Sequence, residues 1–278
     1  MVSLATFTGE EREGIFFLRV TFLESHAPVK AVYTSRRGGV SNAPYDGLNL
    51  GLHVGDNPRA VLANRNLLAG VLDLPLGSWV IGEQVHGNEV ARVGREQAGS
   101  GVQELTTALK GIDALVTNEP DVTLVAFFAD CVPIYIVDPV NRALGLAHAG
   151  WRGTVLQVGA RMVARMATEF GSRPGDLLAA IGPAVGPCCY QVDARVVDKV
   201  QEHLPFAGEL LAADGPGHWR LDLPRANYLS LVAAGLQPDR IAVAGICTHC
   251  QAETFFSHRA SGGITGRQAA MLALGEQV

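Results

Sequence analysis

Charged side chains are scarce in this sequence: 22 basic and 27 acidic residues among 278, or 18%, where a soluble domain carries about a quarter. There is no basic excess. With a net charge of −5, the chain excludes a nucleic-acid or anionic-membrane surface as its working face. No apolar run is long enough to span a bilayer. Secretion is not expected, because Glu10-Glu11-Arg12-Glu13 stand where a leader would need an apolar stretch, and a cytoplasmic location is expected. The five cysteines (Cys131, Cys188, Cys189, Cys247 and Cys250) are too few and too odd in number for a disulfide framework, so they are expected as reduced thiols. No G-x-G-x-x-G follows a strand-like run and no P-loop string occurs, which sets aside nucleotide cradling by those devices. Internal repeats and low-complexity linkers are likewise lacking.

What the chain has in surplus is glycine, 32 residues against a usual ~7%, together with an ordinary 48% of apolar residues. A sizeable core and many tight turns follow, and disorder as the main state is excluded. Short strand-like runs dominate, at 15–23, 29–34, 79–85, 89–93, 112–117, 122–128, 132–137, 143–148, 177–181, 219–223 and 241–246. Fewer helices are expected: one capped by Asn57 and opened by Pro58, one over Thr154 to Phe170 stopping at Gly171, and shorter ones after Asp193 and Pro224. The link Asp138-Pro139-Val140-Asn141 fits a hairpin and not a crossover, so a doubly wound parallel sheet is disfavoured. Residues 94–111 read as a long surface connection inside one domain spanning 1–278.

Three strings place His or Cys at the end of a strand-like run beside small residues: Gln84-Val85-His86-Gly87, Ala129-Asp130-Cys131 and Ala147-His148-Ala149-Gly150-Trp151-Arg152-Gly153. Two imidazoles and a thiolate are donors that zinc prefers, and three protein ligands leave a fourth position for an acidified water. The same residues admit a metal-free account in which His148 takes the Cys131 proton, the thiolate attacks a carbonyl or amidine carbon, and Asp130 orients a partner. Spacing does not separate the two. Near the carboxyl end Cys247, His249, Cys250 and His258 invite a structural zinc, but no second Cys-x-x-Cys accompanies them, and isolated buried thiols are the default expectation. Phe255 to Arg259 is expected to end a strand with Arg259 aimed at an anion. The basic, glycine-rich strings carrying Arg36, Arg37 and Asn49, with Arg65 on the first helix, offer further anion partners or plain turn chemistry.

The strings SRRGGVS, YDGLNLGLHVGDNP, NR, QVHG, DALVT, ADCVPI, AHAGWRGT, IGPAVGPCCYQV, LDLPRAN, FFSHR and GRQAA, in this order, resemble the YfiH-type laccase-domain family over about residues 30 to 270. Its members have been called multicopper polyphenol oxidases and purine nucleoside phosphorylases. The resemblance implies an α+β domain of layered mixed β-sheets flanked by helices, similar to the catalytic domain of cytotoxic necrotizing factor. It implies a zinc, with copper as the alternative, held by His86, Cys131 and His148. It also implies phosphorolysis of adenosine, inosine, guanosine and methylthioadenosine, with adenosine deamination, in a monomer or small homo-oligomer. Phosphate partners would come from Arg36, Arg37, Arg65 and Arg259, with Asn49 as a further substrate contact. A family counterpart of the Cys-His reading is an amidase that removes misincorporated serine from a peptidoglycan precursor. A non-enzymatic metal-binding module would need a closed four-ligand site, and several coppers would need more imidazoles than these. The run Cys247-Thr248-His249-Cys250 departs from the family after its first cysteine.

Overall fold

The computed structural model describes residues 6–275, so residues 1–5 and 276–278 of the expected 1–278 domain lie outside the described residues. Strands β1 (Thr8–Arg12), β2 (Ile15–Arg19) and β3 (Val29–Thr34) surround the one-turn helix α1 (Thr21–Glu24). Helix α2 (Pro58–Leu72) precedes β4 (Trp79–Ile81), β5 (Val90–Arg92), β6 (Ala114–Thr117), β7 (Thr123–Phe128), β8 (Val132–Asp138) and β9 (Ala143–Ala149). Helices α3 (Trp151–Val155) and α4 (Val158–Phe170) lead to β10 (Leu178–Ile181), β11 (Gln191–Asp193), α5 (Ala194–His203), β12 (Leu211–Ala213) and β13 (His218–Leu221). The chain closes with α6 (Leu223–Ala233), β14 (Ile241–Val243) and β15 (Gln268–Leu274).

Two six-stranded mixed sheets carry the architecture. The first has the order β1-β2-β3-β15-β7-β4, antiparallel except for β4 beside β7. The second has the order β14-β10-β8-β9-β6-β5, with parallel pairs at both edges. A small antiparallel sheet, β11-β13-β12, sits apart from them. Strands β7, β8 and β9 are buried along their whole length, which explains why they read as continuous apolar runs instead of alternating ones.

The two large sheets pack face to face through Tyr33, Phe128 and Leu272 on one side and Tyr135, Leu144 and Leu178 on the other. On the outer face of the first sheet, Leu68 and Val71 of α2 cover Trp79, Phe127 and Met271. On the outer face of the second, Met162, Met166 and Leu231 of α4 and α6 cover Ile134, Ala147 and Ala179. The result is a helix, sheet, sheet, helix sandwich of the expected α+β class.

Local chemistry accounts for most element ends. Asn57 accepts the Arg59 amide and Pro58 opens α2, Asp193 caps α5 through the Val196 amide, and Asp222 caps α6 through Arg225. Gly171, at φ 69°, stops α4 in the left-handed conformation. The expected 138–141 hairpin forms, held by Asp138 accepting from the amides of Val140 and Asn141. Several expectations differ from the structure. The single helix from Thr154 is two, broken at Gln157 (φ 57°), because α3 starts at the pocket wall whereas α4 runs along β9. The run 15–23 ends at Arg19 and gives way to α1, and the run 79–85 ends at Ile81. No strand ends at Phe255 to Arg259, which form a bend, an irregular stretch and a turn. Strands β1, β11, β12 and β15 were not anticipated.

The contact of α4 with the second sheet depends on Gly145 in β9, where an added Cβ would lie 2.9 Å from the Met162 sulfur. Gly145→Val therefore overpacks this layer, with an expected loss of about 1–3 kcal/mol. The control Gly208→Ala, where a Cβ meets nothing within 4 Å, should stay within about 0.5 kcal/mol. Urea-unfolding midpoints of the two variants check this, and equal midpoints would contradict it.

Candidate active site

The connections that pass from the first sheet to the second carry the site. One runs from β4 to β5 and holds His86, and another joins β7 to β8 and holds Cys131. His148 stands on β9 opposite Pro133 of β8. The candidate ligand atoms of His86, Cys131 and His148 all lie within 4.8 Å of one another. His86 Nε2 is 3.9 Å from Cys131 Sγ, and the two imidazole rings meet edge to face at 4.8 Å.

Asp113, just before β6, organises the trio. Its carboxylate accepts the backbone amides of Val85 (3.1 Å), His86 (3.0 Å) and Gly87 (2.7 Å), and lies 3.0 Å from His148 Nδ1. Burial alone would raise its pKa, but the His148 hydrogen bond and the amides of Gly87 and His86 hold it below the usual carboxylate range. With Nδ1–H of His148 committed to Asp113, Nε2 is left as the free donor atom, which is the carboxylate–histidine arrangement seen behind metal ligands. The backbone bends sharply here: Gln84 (φ 58°), His86 (φ 62°) and Asp130 (φ 86°) all occupy the left-handed region that costs a non-glycine residue energy. Gly150 is constrained in a different way, since a Cβ there would lie 2.7 Å from the His86 ring and 3.1 Å from Cys131 Sγ.

Electrostatics couple the thiol to the buried imidazole. Burial would push the Cys131 thiol up, but the charge and hydrogen bond of His148, aided by His86, bring it down to about 6. For His148, burial works against the cation while Cys131 and Asp113 raise it to about 9. Between those values, and without a metal, the pair is thiolate and imidazolium. Such a thiolate, beside two imidazoles, is a fit donor set for zinc and equally a fit nucleophile.

The three residues open into a pocket of about 500 Å³, within the usual range for small-molecule sites. Phe127, Trp151, Tyr190 and Leu223 supply apolar walls, and Arg152, Arg259 and Arg267 supply cations. Of the arginines singled out from sequence, only Arg259 lines this pocket, with its guanidinium 5.2 Å from the Tyr190 ring centroid. Arg36 instead pairs with Asp46, donates to the Ala252 carbonyl and covers Phe256, and Arg37 donates to Thr254. Arg65 is fully buried and donates to the carbonyls of Leu50, Gly101 and Val102. Asn49 is also buried, and its side-chain oxygen accepts the amides of Gly51 and Arg267. Asn49 thus fixes the backbone of a pocket residue without facing the pocket.

Asp130 does not orient a catalytic partner. It accepts from Thr248 Oγ1 (2.6 Å) and from the Arg259 amide (2.7 Å), tying two distant loops to the Cys131 turn. Sequence reasoning missed Asp113, Arg152 and Arg267 as site residues. Arg152 sits inside the quoted string AHAGWRGT, one residue beyond the helix start that faces the pocket. Arg267 likewise sits inside GRQAA and Asp113 opens DALVT, but the long-range pairing of β15 with β3 and β7 is what brings Arg267 to the pocket. The expectation of isolated buried thiols near the carboxyl end is also corrected. Cys188 and Cys250 are exposed, and the sulfurs of Cys188, Cys189, Cys247 and Cys250 gather within 4.8 Å, without His249 or His258.

With this geometry, comparison with known proteins is informative. A family model described as multi-copper polyphenol oxidoreductase laccase matches residues 30–275. The purine nucleoside phosphorylase YlmD of Geobacillus stearothermophilus is 46% identical over 245 residues, spanning 88% of this chain and 89% of that protein. The adenosine deaminase RL5, from an unknown prokaryotic organism, is 33% identical over 250 residues, spanning 90% of this chain and 95% of that protein. The crystal structure of YlmD from Geobacillus stearothermophilus matches with a TM-score of 0.93 at 44% identity, covering 98% of this chain and 100% of that chain.

Two measurements test the site. Asp113→Asn removes the charge behind His148 and should weaken zinc binding about 10- to 100-fold in a chelator competition; unchanged affinity would show that Asp113 has no such part. In metal-free protein, alkylation of Cys131 followed by peptide mass spectrometry should be half-maximal near pH 6, not near the ordinary thiol value of 9. Added zinc should suppress it.

Proposed function

The chain belongs to the multi-copper polyphenol oxidoreductase laccase family, and on that premise we propose that it is a purine nucleoside phosphorylase that also deaminates adenosine. Its substrates are adenosine, inosine, guanosine and methylthioadenosine with inorganic phosphate, and its place of work is the cytoplasm. The observation that carries this reading is the convergence of a His-Cys-His donor set and three arginines on one aromatic-walled pocket. Relatives named purine nucleoside phosphorylase and adenosine deaminase lend it support. Among the described residues no helix is long and apolar enough to cross a membrane.

His86, Cys131 and His148 would hold a zinc, and their donor chemistry fits one. Bound there, the ion supplies Lewis acidity and lowers the pKa of water. The chain's own residues do the rest. Phosphorolysis joins a phosphate oxygen to the anomeric carbon of ribose while the bond to the purine nitrogen breaks and the purine leaves with a proton. Arg152, Arg259 and Arg267 gather the phosphate charge, which their guanidinium forks suit better than a lysine would. Phe127, Tyr190 and Trp151 give the purine ring flat apolar surfaces. Deamination of adenosine exchanges the ring amino group for the oxygen of water with release of ammonia, in the same pocket. Asp113 holds the His148 proton on Nδ1 throughout.

A second reading rests on one arrangement, the Cys131 thiol within 4.8 Å of a buried His148 imidazole that Asp113 holds through Nδ1. Without metal this pair serves an amidase acting on a peptidoglycan precursor: Cys131 Sγ joins the amide carbon as the C–N bond breaks, the amine leaves with the His148 proton, and water then releases the acid from sulfur. A polyphenol oxidase with several coppers is disfavoured by the donor set, since among the described residues only His86 and His148 gather with the pocket thiol at ligating distance.

Metal-replete protein given inosine and phosphate should release hypoxanthine, and Cys131→Ala should not. Equal release by both proteins would overturn the proposal. Arg259→Leu, which removes one charged hydrogen-bond donor, should raise KM for phosphate about tenfold or more with little change in KM for inosine. Amide hydrolysis that survives complete zinc removal would favour the second reading.

A further inference from the structure

The four cysteines outside the pocket lie in two turns that the fold brings side by side. Cys188 and Cys189 follow Gly186-Pro187 after β10, and Cys247 and Cys250 occupy the turn after β14. Backbone bonds hold the two segments in register, Ala184 N to Ile246 O at 3.2 Å and Thr248 N to Ala184 O at 3.0 Å. The sulfurs of all four lie within 4.8 Å of one another, with Cys188 to Cys250 at 3.6 Å and Cys189 to Cys250 at 3.4 Å. Four thiolates around zinc, each at a Zn–S distance of about 2.3 Å, stand roughly 3.8 Å apart. The separations of 3.4 and 3.6 Å lie slightly inside that value, and no pair in the cluster exceeds 4.8 Å.

The surroundings favour the thiolate form at Cys247, whereas burial raises Cys188 and Cys189, which give up their protons on binding a metal. Cys247 Sγ accepts the Gly186 amide at 3.2 Å and also the amide of Cys250, three residues on in the same Cys-x-x-Cys turn. Amide donors aimed at sulfur stabilise negative charge there and orient the lone pairs. Cys188 and Cys189, although adjacent, both reach the cluster because the turn folds back on Gly186 O, which accepts from the amides of Cys189 and Tyr190 at 3.0 Å each. We propose that Cys188, Cys189, Cys247 and Cys250 form a second, closed zinc site, distinct from the pocket trio. Binding forms four Zn–S bonds and releases the four thiol protons to solvent, which leaves two net negative charges on the unit. Arg220, whose guanidinium donates to the Cys188 carbonyl at 3.0 Å, lies beside that charge.

With all four positions filled by protein, the site is structural and not catalytic. Its effect on the pocket is mechanical. The Cys247–Cys250 turn contains Thr248, which donates to Asp130 next to Cys131, and the other turn runs directly into Tyr190, which stacks on Arg259. A metal joining the two turns fastens two walls of the pocket at their base.

Metal analysis and cobalt substitution decide the matter. Wild-type protein should hold two zinc ions per chain. Cys131→Ala should keep one, and its cobalt form should display the intense thiolate-to-cobalt charge-transfer and visible tetrahedral bands of a four-sulfur site. Cys250→Ser should lose that ion, lower Tm and leave the pocket trio able to bind one zinc. If Cys250→Ser does not fold, the cobalt spectrum of Cys131→Ala still gives the answer. Absence of bound metal and of those bands in Cys131→Ala overturns the proposal, and so does a disulfide between Cys250 and Cys188 or Cys189 in protein purified without oxidant.

Discussion

The Asp113 carboxylate is the fixed point of the active site. It gathers three consecutive amides from one loop and one imidazole from a strand, and so sets the positions of His86 and His148 relative to each other. None of these groups could be held there by local sequence alone. His86 adopts a left-handed backbone that is costly without those amide bonds, and His148 would lack a defined tautomer. A buried carboxylate with so many donors is stabilised as an anion, and the anion in turn favours a charged His148 and a thiolate at Cys131. Part of the charge on His148, and through it the thiolate character of Cys131, therefore traces to a residue outside the pocket lining.

The second constraint is the sandwich. His86 and Cys131 lie on connections that cross between the large sheets, whereas His148 belongs to the second sheet. The trio exists only while the sheets keep their relative position, which the interleaved aromatic and aliphatic side chains between them enforce. Asp130 extends this logic by tying the Cys131 turn to the loops at Thr248 and Arg259.

Much of this was legible in the sequence where the signal is local. Capping residues marked the starts of α2 and α5, Pro224 marked that of α6, and apolar runs marked the buried strands β7 to β9. The motif strings also pointed to His86, Cys131 and His148, which the structure does bring together. Where sequence reading failed, the determinants are long-range. Strand β15, with the composition Gln-Ala-Ala-Met-Leu-Ala-Leu, has no β-branched residue and is a strand because β3 and β7 flank it on both sides. Arg36, Arg37 and Arg65 looked like anion partners by residue type, yet their guanidinium groups are occupied by Asp46, Thr254 and buried carbonyls. Type does not reveal which donors the fold has already used. The cysteine cluster escaped for the same reason, since its halves are some sixty residues apart in sequence.

Arg65 is more than a failed candidate. Its guanidinium is satisfied wholly by carbonyl oxygens and stacks on Phe127 at 4.8 Å, with no carboxylate among its hydrogen-bond partners. Burial lowers its pKa only to about 10, so it remains a full positive charge at neutral pH. That charge is felt at His53 on the pocket wall, where it adds to the field of Arg267 and the other imidazoles. A cation sealed beneath an aromatic floor is beyond the reach of solvent and cannot swing away as a surface arginine can. It acts as a standing positive bias on the cavity wall, one that helps keep the His53 ring neutral however the pocket side chains move.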